Sequence, residues 1–138
     1  MRFTIYADGG ARGNPGPAGA GSVVKDEKGK VIAEVAEYLG HATNNFAEYT
    51  AILRGLEALA EHLGASAREA TVAVKMDSQL VVRQMLGQYK IKHPTLKPLA
   101  GRAKELTQLF KSVSFTHIPR EENGEADALA NDAMDRSA

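Results

Sequence analysis

Four carboxylate side chains stand out by their positions in the sequence. Asp8 and Asp77 each follow a short apolar segment, Glu48 lies at the edge of the apolar face of a predicted helix, and Asp127 falls early in a C-terminal helical segment. Carboxylates that converge repel one another unless protons or cations neutralise them. Hard divalent cations prefer such oxygen ligands, and a pair of them promotes phosphodiester hydrolysis. The four acids predict such a site only if the fold brings them together.

The predicted elements follow the order strand, strand, strand, helix, strand, two helices, strand, helix. The predicted strands cover residues 2–7, 21–25, 31–39, 71–76 and 113–118. The predicted helices cover residues 44–63, 78–86 (with Ser78 as its cap), 94–110 (with Pro98 in its first turn) and 125–134. Since three strands form a meander and the later ones return through helices, we expect an α/β fold with a mixed sheet.

This topology offers a way to bring the acids together. Asp8 and Asp77 would end their strands, and ligands gather at the carboxyl ends of strands in open α/β sheets. Glu48 joins them if its helix begins at the same edge, and Asp127 lies in the first turn of a helix that follows a strand. Each acid taken singly is better explained as a helix cap or a loop residue.

The glycine-rich segment 9–21, GGARGNPGPAGAG, follows the first strand. It has no Gly-Lys-Ser/Thr sequence and precedes no helix, which argues against a phosphate-binding loop or a dinucleotide fingerprint. Small residues there permit close approach of a nucleic-acid backbone. The alternative is a wide hairpin loop.

Composition indicates one domain, residues 1–138, with 43% hydrophobic and 25% charged residues. The absence of cysteine excludes disulfides, a thiol nucleophile and cysteine metal sites. We find no apolar run of membrane-spanning length and no signal-peptide core, and we expect a cytoplasmic protein.

Net charge is zero, but residues 83–111 hold seven basic residues and one acid, whereas residues 121–138 hold six acids and one arginine. This is either a phosphate-backbone footprint beside a metal site or two solvated faces.

Four motifs resemble those of type 1 ribonuclease H, in the same order and along nearly the whole chain. They are YADGGARGNPGPAGAG, TNNFAEYTAI, MDSQLVV and ADALANDA. The resemblance implies a ribonuclease H-like five-stranded mixed sheet with helices on both faces. It also implies that the catalytic and metal-binding carboxylates are Asp8, Glu48, Asp77 and Asp127. The family hydrolyses the RNA strand of RNA–DNA hybrids with two Mg²⁺ or Mn²⁺ ions and leaves 5′-phosphate and 3′-hydroxyl ends. We expect this chain to act as a monomeric endoribonuclease.

The resemblance also implies contacts with the hybrid. Asn14, Asn44 and Gln79 match minor-groove positions that include ribose 2′-hydroxyls, and Thr43 with Asn14 would hold a phosphate of the DNA strand. The full set of expected substrate contacts is Gly9, Asn14, Thr43, Asn44, Asn45, Gln79, Lys90 and Lys92. Asn44 and Asn45 are alternatively helix caps.

The chain departs from the family pattern in two places. Some members grip the hybrid with a basic protrusion containing tryptophan, whereas this chain has no tryptophan and only GQYKIKHPTLK in that region. We therefore expect the shorter subgroup without the protrusion, with a reduced basic substitute made of Lys90, Lys92, His93 and Lys97.

The second departure concerns the auxiliary residue in the loop after the last strand. His117 and Arg120 compete for that role, and Asn123 would support the loop. Histidine transfers protons near neutral pH, whereas arginine only holds phosphate.

Three rival functions remain at this stage. Integrases, transposases and junction resolvases share the fold, but the TNN and DSQ motifs favour a ribonuclease H. A non-catalytic hybrid-binding module would have no use for four intact carboxylates. A nucleotide-binding switch would need the missing lysine of the phosphate loop.

Overall fold

The fold is built on one five-stranded sheet of order β3-β2-β1-β4-β5. The computed structural model describes residues 1–136. Its strands are β1 (Arg2–Ala11), β2 (Gly16–Asp26), β3 (Val31–Ala42), β4 (Thr71–Met76) and β5 (Ser112–His117). The first three strands pair antiparallel, β4 pairs parallel with β1, and β5 pairs parallel with β4. The predicted mixed sheet is confirmed.

Four helices connect and cover the sheet. They are α1 (Asn44–Leu63), α2 (Gln79–Met85), α3 (Lys97–Thr107) and α4 (Gly124–Asp135), with short 3₁₀ turns at Gly64–Glu69 and Arg120–Glu122. The predicted bounds of α1 are confirmed, because Thr43 caps its first turn, accepting from the Phe46 amide at 3.1 Å, and Gly64 ends it. The alternative in which Asn44 or Asn45 caps this helix is wrong.

The glycine-rich segment is not a loop, contrary to the prediction. β1 and β2 continue through it as a hairpin whose last pair is Ala11 with Ala18, and only residues 12–15 form the turn. The amide of Arg12 donates to the Pro17 carbonyl at 2.8 Å and closes that turn. Asp8 therefore lies inside β1 rather than at its end. Backbone pairing needs no large side chains, which is why alternation alone ended the strand too early.

Other boundaries shift by a few residues. The third strand runs on to Ala42, and the last is displaced by one residue. The predicted helix at 94–110 begins only at Lys97, because residues 94–96 form a turn closed by the Leu96 amide on the His93 carbonyl at 3.1 Å, and it ends at Thr107. Pro98 lies in the first turn of α3, as predicted.

Helices pack on both faces of the sheet, which confirms the predicted architecture. On one face α1 lies over β1 and β2, and the Ser22 hydroxyl donates to the Ala51 carbonyl at 2.5 Å. On the other face α4 lies so close to β2 that a Cβ at Gly21 would stand 2.3 Å from the Ala126 carbonyl oxygen. The main core lies under α1 and includes Ile5, Tyr49, Ile52, Leu56, Val74 and Met76. Within residues 1–136, no helix has both the length and the apolar character needed to cross a membrane.

Candidate active site

A close contact between α1 and β1 places the first two acids side by side. A Cβ at Gly9 would lie 2.2 Å from the main-chain carbon of Ala47, so only glycine permits this approach. The Gly9 amide donates to Glu48 Oε1 at 2.5 Å. Because Asp8 precedes Gly9 in β1, the carboxylates of Asp8 and Glu48 become neighbours, and both are buried.

The third carboxylate comes from the parallel strand beside β1. Asp77 directly follows β4, and its carboxylate completes a group with Asp8 and Glu48 in which one oxygen from each residue lies within 4.8 Å of the others. The expectation that neighbouring parallel strands bring Asp8 and Asp77 together is therefore fulfilled. Ser78 caps α2, where its hydroxyl accepts from the Val81 amide at 3.4 Å, and it lines the cleft beside Glu48.

The cluster is electrostatically strained without cations. The pKa of Asp8 is raised to about 9, first by burial and then by the charges of Glu48 and Asp77. The pKa of Glu48 is raised to about 8, mainly by burial, although its bond from the Gly9 amide opposes the shift. Bound divalent cations would neutralise such a cluster, whereas isolated acids on the surface would not need them.

The fourth acid approaches from α4. Asp127 lines the same cleft and helps to raise the pKa of Asp8, but it lies outside the group of three carboxylates. The start of α4 is anchored by Asn123, which is buried and donates from Nδ2 to the Ala7 carbonyl at 2.9 Å. Arg120 Nη2 lies 3.9 Å from Asp127 Oδ1 and is largely exposed. The hydrogen bond from Asn123 to β1 thus fixes the start of α4 and, with it, the position of Asp127 relative to Asp8.

All four carboxylates line one open cleft of about 560 Å³. Its walls also include the backbone of residues 9–12, Asn44, Asn45, Ser78 and Arg120. His117 is not among the lining residues; it is the exposed last residue of β5 and pairs with Met76. Of the two competitors for the auxiliary role, only Arg120 borders the acids.

The expected substrate residues around the hairpin form a connected rim. Asn44 Oδ1 accepts from the Ala11 amide at 2.7 Å, and Asn14 Oδ1 accepts from the Asn44 amide at 3.0 Å. Thr43 adjoins them as the cap of α1. Gln79 is the exposed first residue of α2 and lies outside the cleft lining. The rim ties the hairpin turn to the start of the helix that carries Glu48.

The remaining expected contacts lie in the segment between α2 and α3. Residues 86–96, here called the basic loop, contain no helix, and the side chains of Lys90 and Lys92 are exposed. His93 is also exposed and accepts from the Thr95 amide at 3.3 Å. Lys97 opens α3. The basic substitute is therefore a surface loop.

Sequence reasoning missed three residues at the site. It treated Ser78 only as a cap, and it did not single out Arg12 or Asn131, which both line the cleft. Arg12 bridges from the hairpin to α4, 2.7 Å from Asp135 and 3.4 Å from Asn131 Oδ1. Asn131 lies four residues after Asp127, so the same face of α4 was the available signal.

Comparison with known proteins agrees with this geometry. A family model described as reverse transcriptase-like matches residues 6–133. Ribonuclease HI of Halobacterium salinarum is 43% identical over 134 residues, which is 97% of this chain and 65% of that protein. The chain belongs to the type 1 ribonuclease H family.

Two further relatives place the chain within type 1 ribonuclease H. The crystal structure of LC11-RNase H1 in complex with an RNA/DNA hybrid has a TM-score of 0.91 and 48% identity, covering 98% of each chain. The bifunctional protein Rv2228c of Mycobacterium tuberculosis is 48% identical over 139 residues, which cover all of this chain. The chain spans only 37% of the length of that protein. Ribonucleases H are metal-dependent, and the group formed by Asp8, Glu48 and Asp77 supplies the acidic cluster that this requires.

Proposed function

We propose that this chain is a monomeric endoribonuclease that hydrolyses the RNA strand of RNA–DNA hybrids. The observation that carries the proposal is the group of three carboxylates, from β1, α1 and the end of β4, with oxygens within 4.8 Å of one another at an open cleft. Such a cleft suits a polymeric substrate, which has to lie across the surface rather than enter a closed cavity. A relative crystallised with an RNA/DNA hybrid supports the choice of substrate.

The residues fit a pair of Mg²⁺ ions, with Mn²⁺ as the substitute. The donor set consists of hard carboxylate oxygens from Asp8, Glu48, Asp77 and Asp127, without cysteine. Burial and mutual repulsion raise the pKa of Asp8 and of Glu48. The folded protein is therefore stabilised when cations, rather than protons, neutralise these carboxylates. Held by these carboxylates, the ions would lower the pKa of an attacking water and would stabilise negative charge on the leaving 3′-oxygen, as cleavage to 5′-phosphate and 3′-hydroxyl ends requires.

The chain itself supplies position. Asp8 is held in β1 by pairing with β2, Asp77 directly follows β4, and Glu48 is fixed by the Gly9 amide, so the three carboxylates do not reorganise during the reaction. Asp127 completes the set from α4. Arg120 at the rim of the cleft holds a phosphate beside the cluster, in keeping with its exposed guanidinium. An arginine side chain holds phosphate rather than transferring a proton, so Arg120 acts by charge alone.

Selection of RNA over DNA falls to the polar rim. Asn14, Asn44 and Asn45 offer amides that both donate and accept, and Gln79 adds another at the start of α2. The ribose 2′-hydroxyl has the same dual capacity and distinguishes the two kinds of strand. Thr43 and Asn14 hold a phosphate of the DNA strand, Gly9 admits the backbone closely, and the basic loop contributes Lys90 and Lys92.

The deciding experiment uses one 5′-labelled RNA strand, presented alone, paired with RNA and paired with DNA, each with Mg²⁺ or with EDTA. We expect cleavage of the hybrid alone and only with metal. Cutting of RNA duplex, or cutting that persists in EDTA, would overturn the proposal. Binding of the hybrid without cleavage would reassign the chain as a recognition module. Cleavage of duplex DNA in a parallel assay would instead indicate that the chain acts like the integrases and resolvases.

A further inference from the structure

A buried chain of hydrogen bonds links α1 to the basic loop. Tyr49 follows Glu48 and is fully buried, and its hydroxyl donates to Gln84 Oε1 at 2.6 Å. Gln84, itself buried in α2, donates from Nε2 to the main-chain carbonyl of Lys90 at 3.2 Å. The Lys90 carbonyl can only accept a hydrogen bond, so it pairs with Nε2 of Gln84, and Gln84 Oε1 then accepts from the Tyr49 hydroxyl. One orientation of Gln84 therefore satisfies both partners.

The lysines of the basic loop have few other anchors. Ile91 packs partly buried against the core, and the lysines on either side of it are exposed. Before them the chain turns at Gly87, where φ is +79°, and the Gln88 amide donates to the Arg83 carbonyl at 2.9 Å. The bond from Gln84 is thus a polar contact that joins a buried side chain directly to the backbone of Lys90.

We propose that Tyr49 and Gln84 are positioning residues for hybrid binding. They hold the backbone of Lys90 at a fixed place relative to Glu48, so that Lys90 and Lys92 meet phosphates of the hybrid while the scissile bond lies at the carboxylates. This inference rests on the proposed function. The seven-residue helix α2 separates Asp77 from the basic loop and is about 10 Å long, which is less than the width of a nucleic-acid duplex. The carboxylates and the loop can therefore contact the same duplex. Lysines on a loop that is already ordered bind without a further ordering cost.

The test compares Gln84→Met with wild type in steady-state cleavage of the hybrid at several salt concentrations. Methionine keeps the size of glutamine and removes both hydrogen bonds. We expect KM to rise about threefold to tenfold with kcat unchanged. The slope of log KM against log salt should fall by about one, as for the loss of one phosphate contact. Tyr49→Phe, which leaves the bond to Lys90 in place, should give a smaller rise in KM.

Matched variants separate positioning from simple stability. Ser22→Ala removes another buried hydrogen bond of α1, the one to the Ala51 carbonyl, and should lower Tm without changing KM or the salt slope. Lys90→Gln should reproduce the altered salt slope, and adding Gln84→Met to it should change KM little further. Lys28→Gln, in the turn between β2 and β3, controls for loss of one exposed positive charge.

The outcomes distinguish the two proposals. If Gln84→Met lowers Tm as Ser22→Ala does but leaves KM and the salt slope at wild-type values, Gln84 is only a core contact and the inference is overturned. Additive effects of Gln84→Met and Lys90→Gln would also overturn it. Wild-type protein that neither binds nor cleaves the hybrid would overturn both proposals, and wild-type cleavage with an unchanged variant would overturn only this one. Amide hydrogen exchange should in addition be faster at residues 88–92 in Gln84→Met than in Ser22→Ala.

Discussion

The carboxylate cluster and the basic loop are held in different ways. Asp8 lies in the middle of a paired strand, Asp77 follows another, and Glu48 is fixed by a main-chain donor at 2.5 Å. The lysines of the basic loop are exposed, and the loop is held by buried Gln84, by partly buried Ile91 and by Leu96, which is buried in the core. Positions set by the sheet suit chemistry, which does not tolerate displacement, whereas a loop suits binding, where contacts are spread over many phosphates. We therefore expect damage to the cluster to lower kcat and damage to the loop to raise KM.

The largest expected effect is at the cluster itself. Asp77→Asn removes one negative charge from the group of three carboxylates but keeps its shape. We expect kcat for hybrid cleavage to fall by about a thousandfold or more, with hybrid binding retained. Asp132→Asn is the matched control, because Asp132 lies on α4 outside the cleft lining and pairs with exposed Arg136. A loss of activity smaller than tenfold in Asp77→Asn would contradict the assignment of this residue.

The contact that brings Glu48 to Asp8 can be broken without touching a carboxylate. In Gly9→Ala the new methyl group would collide with the backbone of Ala47, which would force α1 away from β1. We expect kcat to fall by about a hundredfold and the free energy of unfolding to fall by about 3 kcal/mol.

The neighbouring glycine supplies the control for that variant. A Cβ at Gly10 would lie 3.9 Å from Asn44 Oδ1, which is an ordinary contact. Denaturant unfolding of Gly10→Ala should therefore stay within about 1 kcal/mol of wild type. Equal destabilisation of the two variants would show that the close approach at Gly9 is not what positions Glu48.

The repulsion within the cluster should appear as a pH dependence of stability. The pKa of Asp8 rises from 3.8 to about 9 on folding, so the folded protein binds this proton more tightly than the unfolded chain. The stability contributed by the protonated group is fully present below pH 3.8 and is lost as the pH rises toward 9. Without metal, wild type should lose about 1.4 kcal/mol per pH unit relative to Asp8→Asn between pH 5 and pH 8.5, because only the folded state holds this proton.

Metal should remove most of that difference. A ligand that binds the folded state and not the unfolded chain stabilises the folded state, so Mg²⁺ at the cluster should restore wild-type stability at pH 8.5 and leave Asp8→Asn almost unchanged. Urea unfolding with EDTA and with Mg²⁺ measures both effects. Parallel pH profiles for wild type and Asp8→Asn would mean that Asp8 is not strained in the folded protein.

The two regions also differ in how far the sequence predicted them. The 3.6-residue periodicity between Thr43 and Gly64 is local, and it gave the bounds of α1 correctly. The four acids were found because their motifs are local too. By contrast, the continuation of β1 and β2 through the glycine-rich segment depends on helices that press on both faces of the sheet. The bond between Tyr49 and Gln84 joins residues 35 positions apart, and no short pattern reports it.

The smallest expected effect decides between the two candidate auxiliary residues. Arg120 lines the cleft and lies 3.9 Å from Asp127, whereas His117 ends β5 outside the cleft lining. Arg120→Ala should lower kcat/KM by about tenfold, because one phosphate contact beside the cluster is lost, and Arg120→Lys should recover part of it. His117→Ala should change kcat/KM less than twofold. If instead His117→Ala had the larger effect on kcat/KM, a histidine that transfers a proton would take part in the reaction. The loop after β5 would then have to move during turnover, and the rigid part of the site would include the four carboxylates but not this loop.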